Sequence, residues 1–257
     1  MSSIFWIDLQ PSAFCFNKKL ACILSHSRHV RRWSFQHDLD EICTLSTIFN
    51  FLKETLDQSD SPPHVLAHGL SGTVAALFAQ QFPRLFRSLT LISVDPISTN
   101  QWTSHYLEMR RQLPCARSSL LSHIIPLLFD KTSNDAHLVF PGFFEKCLDS
   151  DFIPGSIASH MWLPNLSSID IPLSIINGAQ DFIIDQNSAL RWEPYLKNGD
   201  RFYSLPGGHH FSHFSRPKLY ATLINSFLDM IPESLFSAFP SQFHASFSKN
   251  IHYDGLY

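Results

Sequence analysis

Residues 64–96 read HVLAHGLSGTVAALFAQQFPRLFRSLTLISVDP. The first five, His64–His68, are an apolar run too short for a helix of their own. Small residues follow at Gly69, Ser71, Gly72 and Thr73. An Ala-rich stretch then continues without a breaker until Pro83, and Leu89–Val94 is a second apolar run. The pattern predicts a strand, a tight turn, a helix and a second strand, the unit from which parallel sheets are built.

The same rhythm extends outward. Ile4–Leu9, Leu20–Leu24, Leu173–Asn177 and Arg201–Leu205 read as further strands. Most are continuously apolar rather than alternating, which suits strands covered on both faces. Asp40–Leu56 carries Ile42, Leu45, Ile48, Phe49, Leu52 and Leu56 at helical spacing. Thr73–Gln81 and Pro217–Met230 behave alike. An α/β architecture follows: a mostly parallel sheet of about six strands with helices on both faces. Residues 97–168 break the rhythm, with helical patterns at Trp102–Leu113, Ser118–Phe129 and Phe143–Leu148 and no clear strand. They are expected to form a helical cap inserted between core segments 1–96 and 169–232. Residues 233–257 are a Phe-rich tail in which Phe236, Phe239, Phe243 and Phe247 recur at helical spacing, interrupted by Pro240. That stripe packs on its own domain, docks on a partner protein or membrane, or belongs to a disordered tail.

Composition narrows the function classes. Of 257 residues, 44% are apolar and 16% charged, so the chain has the means to bury a core. A net charge of −3 does not suit a phosphate backbone, so nucleic acid is not expected as a partner. Cys15, Cys22, Cys43, Cys115 and Cys147 are dispersed, the pattern of free thiols in a reducing compartment. Met1–Leu9 has no signal-peptide character, and no run approaches the roughly eighteen apolar residues of a membrane span. A soluble, cytoplasmic, non-transmembrane protein is expected. Arg28, Arg31 and Arg32 read as a solvated loop.

The stretch from His64 to Pro96 resembles the nucleophile elbow of the α/β-hydrolase family, in which a G-x-S-x-G turn between strand and helix presents a serine. In the family's common form an Ala and a Pro lie ten and fourteen positions after that serine. Counting back from Ala79 and Pro83 reaches Gly69 in both cases. Glycine then stands at the nucleophile position, with Ala67 and Ser71 in the small flanking positions. A second register, Gly69-Leu70-Ser71-Gly72-Thr73, makes Ser71 the nucleophile. Both registers stay open, beside the plain reading of a small-residue turn.

The resemblance implies further parts. Gly178 and Asp181 in LSIINGAQDFIID match the strand and loop that deliver the family's acid, with Asp185 a weaker choice. His210 and Phe211, ahead of Pro217, match its histidine loop. A carboxylate-oriented imidazole is the family's general base. The loop that helps hold an oxyanion departs from the family: Leu9-Gln10-Pro11 replaces a His-Gly pair, and proline removes a donor. Gln10 and Leu70 are the oxyanion or pocket candidates. No metal is expected from His209, His210 and His213, which lack a carboxylate or Cys at ligand spacing, and nothing calls for a cofactor. The chain also starts at the first core strand, without room for the two antiparallel strands many members have in front, which is why the sheet is expected to be short.

Two functional readings follow. One is a pseudo-hydrolase that lacks serine chemistry and binds a ligand or partner. Trp102, Tyr106, Phe129, Phe140, Phe143, Phe144, Phe152 and Trp162 suggest a bulky apolar small molecule, or else ordinary packing. The other is an enzyme, either an esterase using Ser71 or a serine-independent catalyst using Asp181 and His210.

Overall fold

The computed structural model describes residues 3–36, 43–130, 136–155 and 163–232. Six strands form one sheet: β1 (Ser3–Asp8), β2 (His29–Ser34), β3 (His64–His68), β4 (Ser88–Ile92), β5 (Leu173–Gly178) and β6 (Arg201–Leu205). Their order is β2-β1-β3-β4-β5-β6, and every neighbouring pair is parallel. The order reverses direction between β1 and β3, so the C-terminal ends of these two strands border the crevice in which such sheets place their sites.

Successive strand residues point to opposite faces and meet different helices. Phe5 and Ile7 of β1 pack toward α2 (Leu45–Asp57) and α3 (Gly69–Gln81), through Ile48, Leu52, Val74 and Phe78. Ile4 and Trp6 pack the other way, toward α1 (Lys18–Leu24) and α9 (Pro217–Asp229), through Leu20, Tyr220, Ile224 and Phe227. The helix α2 begins at a Thr44 cap whose Oγ1 accepts the Thr47 N–H, a stop-and-start signal of the usual kind. The expected start near Asp40 lies outside the described residues.

Two expectations are corrected. Leu20–Leu24 is helix, not strand: Leu20 and Leu24, four apart, are both fully buried while Cys22 is exposed, a one-sided helical contact. The sixth strand is instead His29–Ser34, read as a loop because it is polar. It is an edge strand on which Val30 and Trp33 are partly covered, and its Arg32 donates to Asp8 of β1 at 2.6 and 2.9 Å. Arg28 donates to Asn225 at 2.8 Å and pairs with Asp229, so this basic cluster ties the edge to α9.

Between β4 and β5 lie α4 (Trp102–Gln112), α5 (Arg117–Leu128) and α6 (Ala136–Ser150). The Phe16 ring sits at the centre of their contact with the sheet's C-terminal edge. Phe129, Phe140, Phe143, Phe144, Phe211 and Phe214 surround it at centroid distances of 4.9–5.8 Å. Trp102 and Tyr106 join this cluster, whereas Phe152 belongs to the sheet core. Trp162 and the Phe-rich tail lie outside the described residues. After β5 come the short helices α7 (Ser188–Trp192) and α8 (Ser212–Ser215). No helix among the described residues is long and apolar enough to cross a membrane.

Candidate active site

The strand β3 stays extended through His68 (φ −117°, ψ 141°), and the chain then turns sharply at Gly69, where φ is +52°. A left-handed backbone costs any other L-residue energy, and glycine adopts it freely. The helix α3 starts on the turn itself and runs tight against the sheet. A Cβ at Gly72 would lie 2.4 Å from Val94 Cγ2, so only glycine permits this approach.

Two loops bring a carboxylate and an imidazole to the turn. Gly178, the last residue of β5, passes so close to the loop after β6 that a Cβ there would lie 2.3 Å from the Gly208 carbonyl oxygen. This approach carries Asp181 against His210. The His210 Nδ1–H donates to Asp181 Oδ2 at 2.9 Å, and both side chains are fully buried. Asp181 Oδ1 accepts the backbone N–H of Ile183 at 2.8 Å, and that of Ile184 at 3.4 Å, which fixes the carboxylate. The His210 backbone is fixed as well: its carbonyl accepts from Ser93 Oγ at 2.8 Å and from His68 Nε2 at 3.0 Å. With the ring proton on Nδ1, Nε2 presents its lone pair to Gly69. A Cβ at Gly69 would lie 3.4 Å from it. Among the described residues Nε2 has no hydrogen-bond partner.

No family model matches the chain. It is 29% identical over 225 residues to the uncharacterized protein sll0249 of Synechocystis sp., covering 87% of this chain and 89% of that protein. It is 26% identical over 215 residues to the uncharacterized protein alr2406 of Nostoc sp., covering 84% and 86%. Among solved structures it superposes on a bacterial membrane phospholipase A with TM-score 0.68 and 18% identity, over 90% of this chain and 79% of that one. Rv0554 of Mycobacterium tuberculosis gives 0.68 and 16%, over 90% and 91%. An epoxide hydrolase of Vigna radiata gives 0.57 and 12%, over 89% and 91%. The chain has the α/β-hydrolase fold.

Within this fold the candidate residues fall into two groups. Gly69, Asp181 and His210 lie together, as described. Ser71, two residues further along α3, belongs to a different surrounding. Its Oγ accepts the Leu9 backbone N–H at 2.9 Å, and it borders a cavity of about 10 Å³ with Asp8, Gln10, Asn17 and His68. Burial raises the Asp8 carboxyl above its ordinary range, against the pull of Arg32. Burial also pushes the two neighbouring imidazoles down: His68 well below its ordinary value, and His213, whose Nε2–H donates to Asn17 Oδ1 at 2.7 Å, to about 3. Both rings are therefore neutral at pH 7.

On the oxyanion side, Leu70 is buried on the first turn of α3, where helix N–H groups have no intrahelical acceptor. Gln10 is turned toward the insertion: its Oε1 accepts Trp102 Nε1–H at 3.2 Å and its own backbone N–H donates to Asp8 Oδ1 at 3.1 Å. Asp185 does not approach His210. It stands at φ +54° and pairs with Arg191 at 3.1 Å. His209 donates from its backbone to Asp130 Oδ1 at 3.0 Å and its ring meets the Leu127 carbonyl at 3.1 Å. Among the described residues no three His, Cys, Asp or Glu side chains form a group able to hold a metal ion.

One residue at this site escaped the sequence reading. Gln101, the cap residue of α4, is 1% exposed, and its Oε1 would lie 3.8 Å from a Cβ on Gly69. Its Nε2 donates to Thr73 Oγ1 at 2.7 Å. No motif marks it, because it reaches the turn from the inserted segment.

Proposed function

We propose that this protein is a non-hydrolytic member of the α/β-hydrolase fold, a ligand- or partner-binding protein without serine-hydrolase chemistry, working in a reducing compartment such as the cytoplasm. One observation carries the reading: the residue at the tip of the strand–helix turn, facing His210 Nε2, is Gly69. Acyl transfer in this fold needs a side-chain nucleophile at that point, and glycine offers none. Ser71 is poorly suited to replace it, since its Oγ is engaged by the Leu9 N–H on the far side of the same helical turn.

A fluorophosphonate probe, which labels activated serines, tests this. The wild-type protein should remain unlabelled. Gly69→Ser should become labelled, because its side chain would start 3.4 Å from His210 Nε2, and labelling should vanish again when His210→Ala is added. Labelling of the wild type that disappears in Ser71→Ala would make the protein an ordinary serine hydrolase.

The retained Asp181–His210 bond favours a second reading. An imidazole oriented by a carboxylate and free at Nε2 is equipped to take a proton without any serine. That reading requires a turnover that survives in Ser71→Ala and is lost in His210→Ala.

A further inference from the structure

The point above Gly69 is occupied from within the chain. Gln101 is a side-chain carboxamide, nearly fully buried, whose oxygen and the His210 Nε2 both lie within 4 Å of the position a Gly69 side chain would start from. The amide nitrogen is held by Thr73 Oγ1 at 2.7 Å, and the next residue, Trp102, is held by Gln10 Oε1 at 3.2 Å. The start of α4 is thus pinned to the elbow helix and to the oxyanion-side loop by two hydrogen bonds. Yet two polar atoms facing this point have no hydrogen-bond partner among the described residues: His210 Nε2 and Gln101 Oε1. Each such atom forfeits hydrogen bonds it would make in water. Both are acceptors, so what this point lacks is an N–H donor, which a primary carboxamide supplies.

We propose that the Gln101 carboxamide is a resident plug, occupying the place of a ligand's amide over Gly69, and that the site takes small primary carboxamides once the N-terminus of α4 lifts. The inference rests on the reading of Gly69 as a non-nucleophilic position, and it makes Gln101 the residue that sets both access and ligand class. Replacement by alanine removes a CH2–CONH2 group, the atoms of acetamide.

The test is site-resolved modification of His210 by diethyl pyrocarbonate, followed by mass spectrometry of the His210 peptide. In the wild type His210 should be protected. Gln101→Ala should raise its modification rate at least tenfold, and acetamide should restore protection where N,N-dimethylacetamide, which has no N–H for Thr73, does not. Thr73→Val, which keeps the shape and removes the hydroxyl, should give a smaller rise in the same direction, and it serves if Gln101→Ala fails to fold. Wild-type protection persisting in the folded variants, or equal effects of the two amides, would overturn the proposal. Fluorophosphonate labelling of the wild type would instead overturn the reading of Gly69, so the two failures are distinguishable.

Discussion

Gly69 and Ser71 stand two residues apart on the first turn of α3 and meet opposite surroundings. Around Ser71 most of the polar groups are matched: Leu9 donates to its hydroxyl, Arg32 pairs with Asp8, and His213 donates to Asn17, with Gln10 Nε2 and His213 Nδ1 the exceptions among the described residues. Around Gly69 the backbone is anchored as firmly, but the side-chain atoms that face the turn are left without partners. A region built for stability satisfies its buried polar groups, and a region built for binding leaves some for a ligand. The contrast favours a structural role for the Ser71 side and supports the proposed binding role of the Gly69 side.

The largest effect should come from charging buried imidazoles, two of which, His68 and His213, lie on the Ser71 side. His213 titrates near 3 and His68 well below its ordinary value, both because burial disfavours the cation; His64, buried at the other end of β3, is lowered to about 4. The unfolded chain takes up these protons near pH 6.5, and the folded one does so only below about 4. Stability is therefore lost as pH falls from about 6.5 toward 4. At pH 5 each histidine still neutral in the fold costs about 2 kcal/mol, so His64 and His213 together cost about 4 kcal/mol, with His68 adding in the same direction. Asp8 and Asp151 act oppositely, since their raised carboxyls favour the folded state once protonated. Denaturant midpoints at pH 7 and pH 5 measure the sum, which should fall; the same fall missing in Asp8→Asn, where one opposing carboxyl is gone, would mean that these rings are not held neutral.

Next in size is Gly178→Ala, which attacks the Gly69 side. Its Cβ would lie 2.3 Å from the Gly208 oxygen and 2.5 Å from the Gly208 carbon, backbone atoms that cannot rotate away. The two loops must separate, at a cost of about 3 kcal/mol or more. The Asp181–His210 bond should then be lost, visible as disappearance of the His210 Nδ1–H resonance, while the Ser71 cluster stays intact.

The sequence disclosed these regions unequally. His64–His68 and Arg201–Leu205 match the observed strands residue for residue, since turn residues close them, Gly69 after the first and Pro206-Gly207 after the second. LACIL misled because five apolar residues fit strand and helix alike, and only the four-residue spacing of Leu20 and Leu24 in the core decides for helix. HVRRWS hid because an edge strand needs just one partly apolar face. The family pattern singled out Gly69, Asp181 and His210, which lie together in space. It offered nothing for Gln101, whose bond to Thr73 spans 28 positions and depends on how the insertion folds back. The polar cluster around Ser71 was equally hidden, because Asp8, Asn17, His68 and His213 come from four separate segments.

The smallest effects fall on the turn itself and sharpen the contrast most directly. Ser71→Ala strips the buried Leu9 N–H of its acceptor. That should cost about 1–3 kcal/mol, a fall in Tm of roughly 2–12 °C. Gly69→Ala loses no hydrogen bond. It places an L-residue at φ +52°, with its Cβ at a tolerable 3.4 Å from His210 Nε2, and should cost about 1–2 kcal/mol. If the two sides differ as argued, the mutants separate by readout rather than by size. Ser71→Ala should lower Tm while leaving the His210 ring resonances in place. Gly69→Ala should shift those resonances, with a fall in Tm of roughly 2–8 °C. A Ser71→Ala protein whose imidazole spectrum moves as much as that of Gly69→Ala would mean that the two sides of the turn form one coupled site.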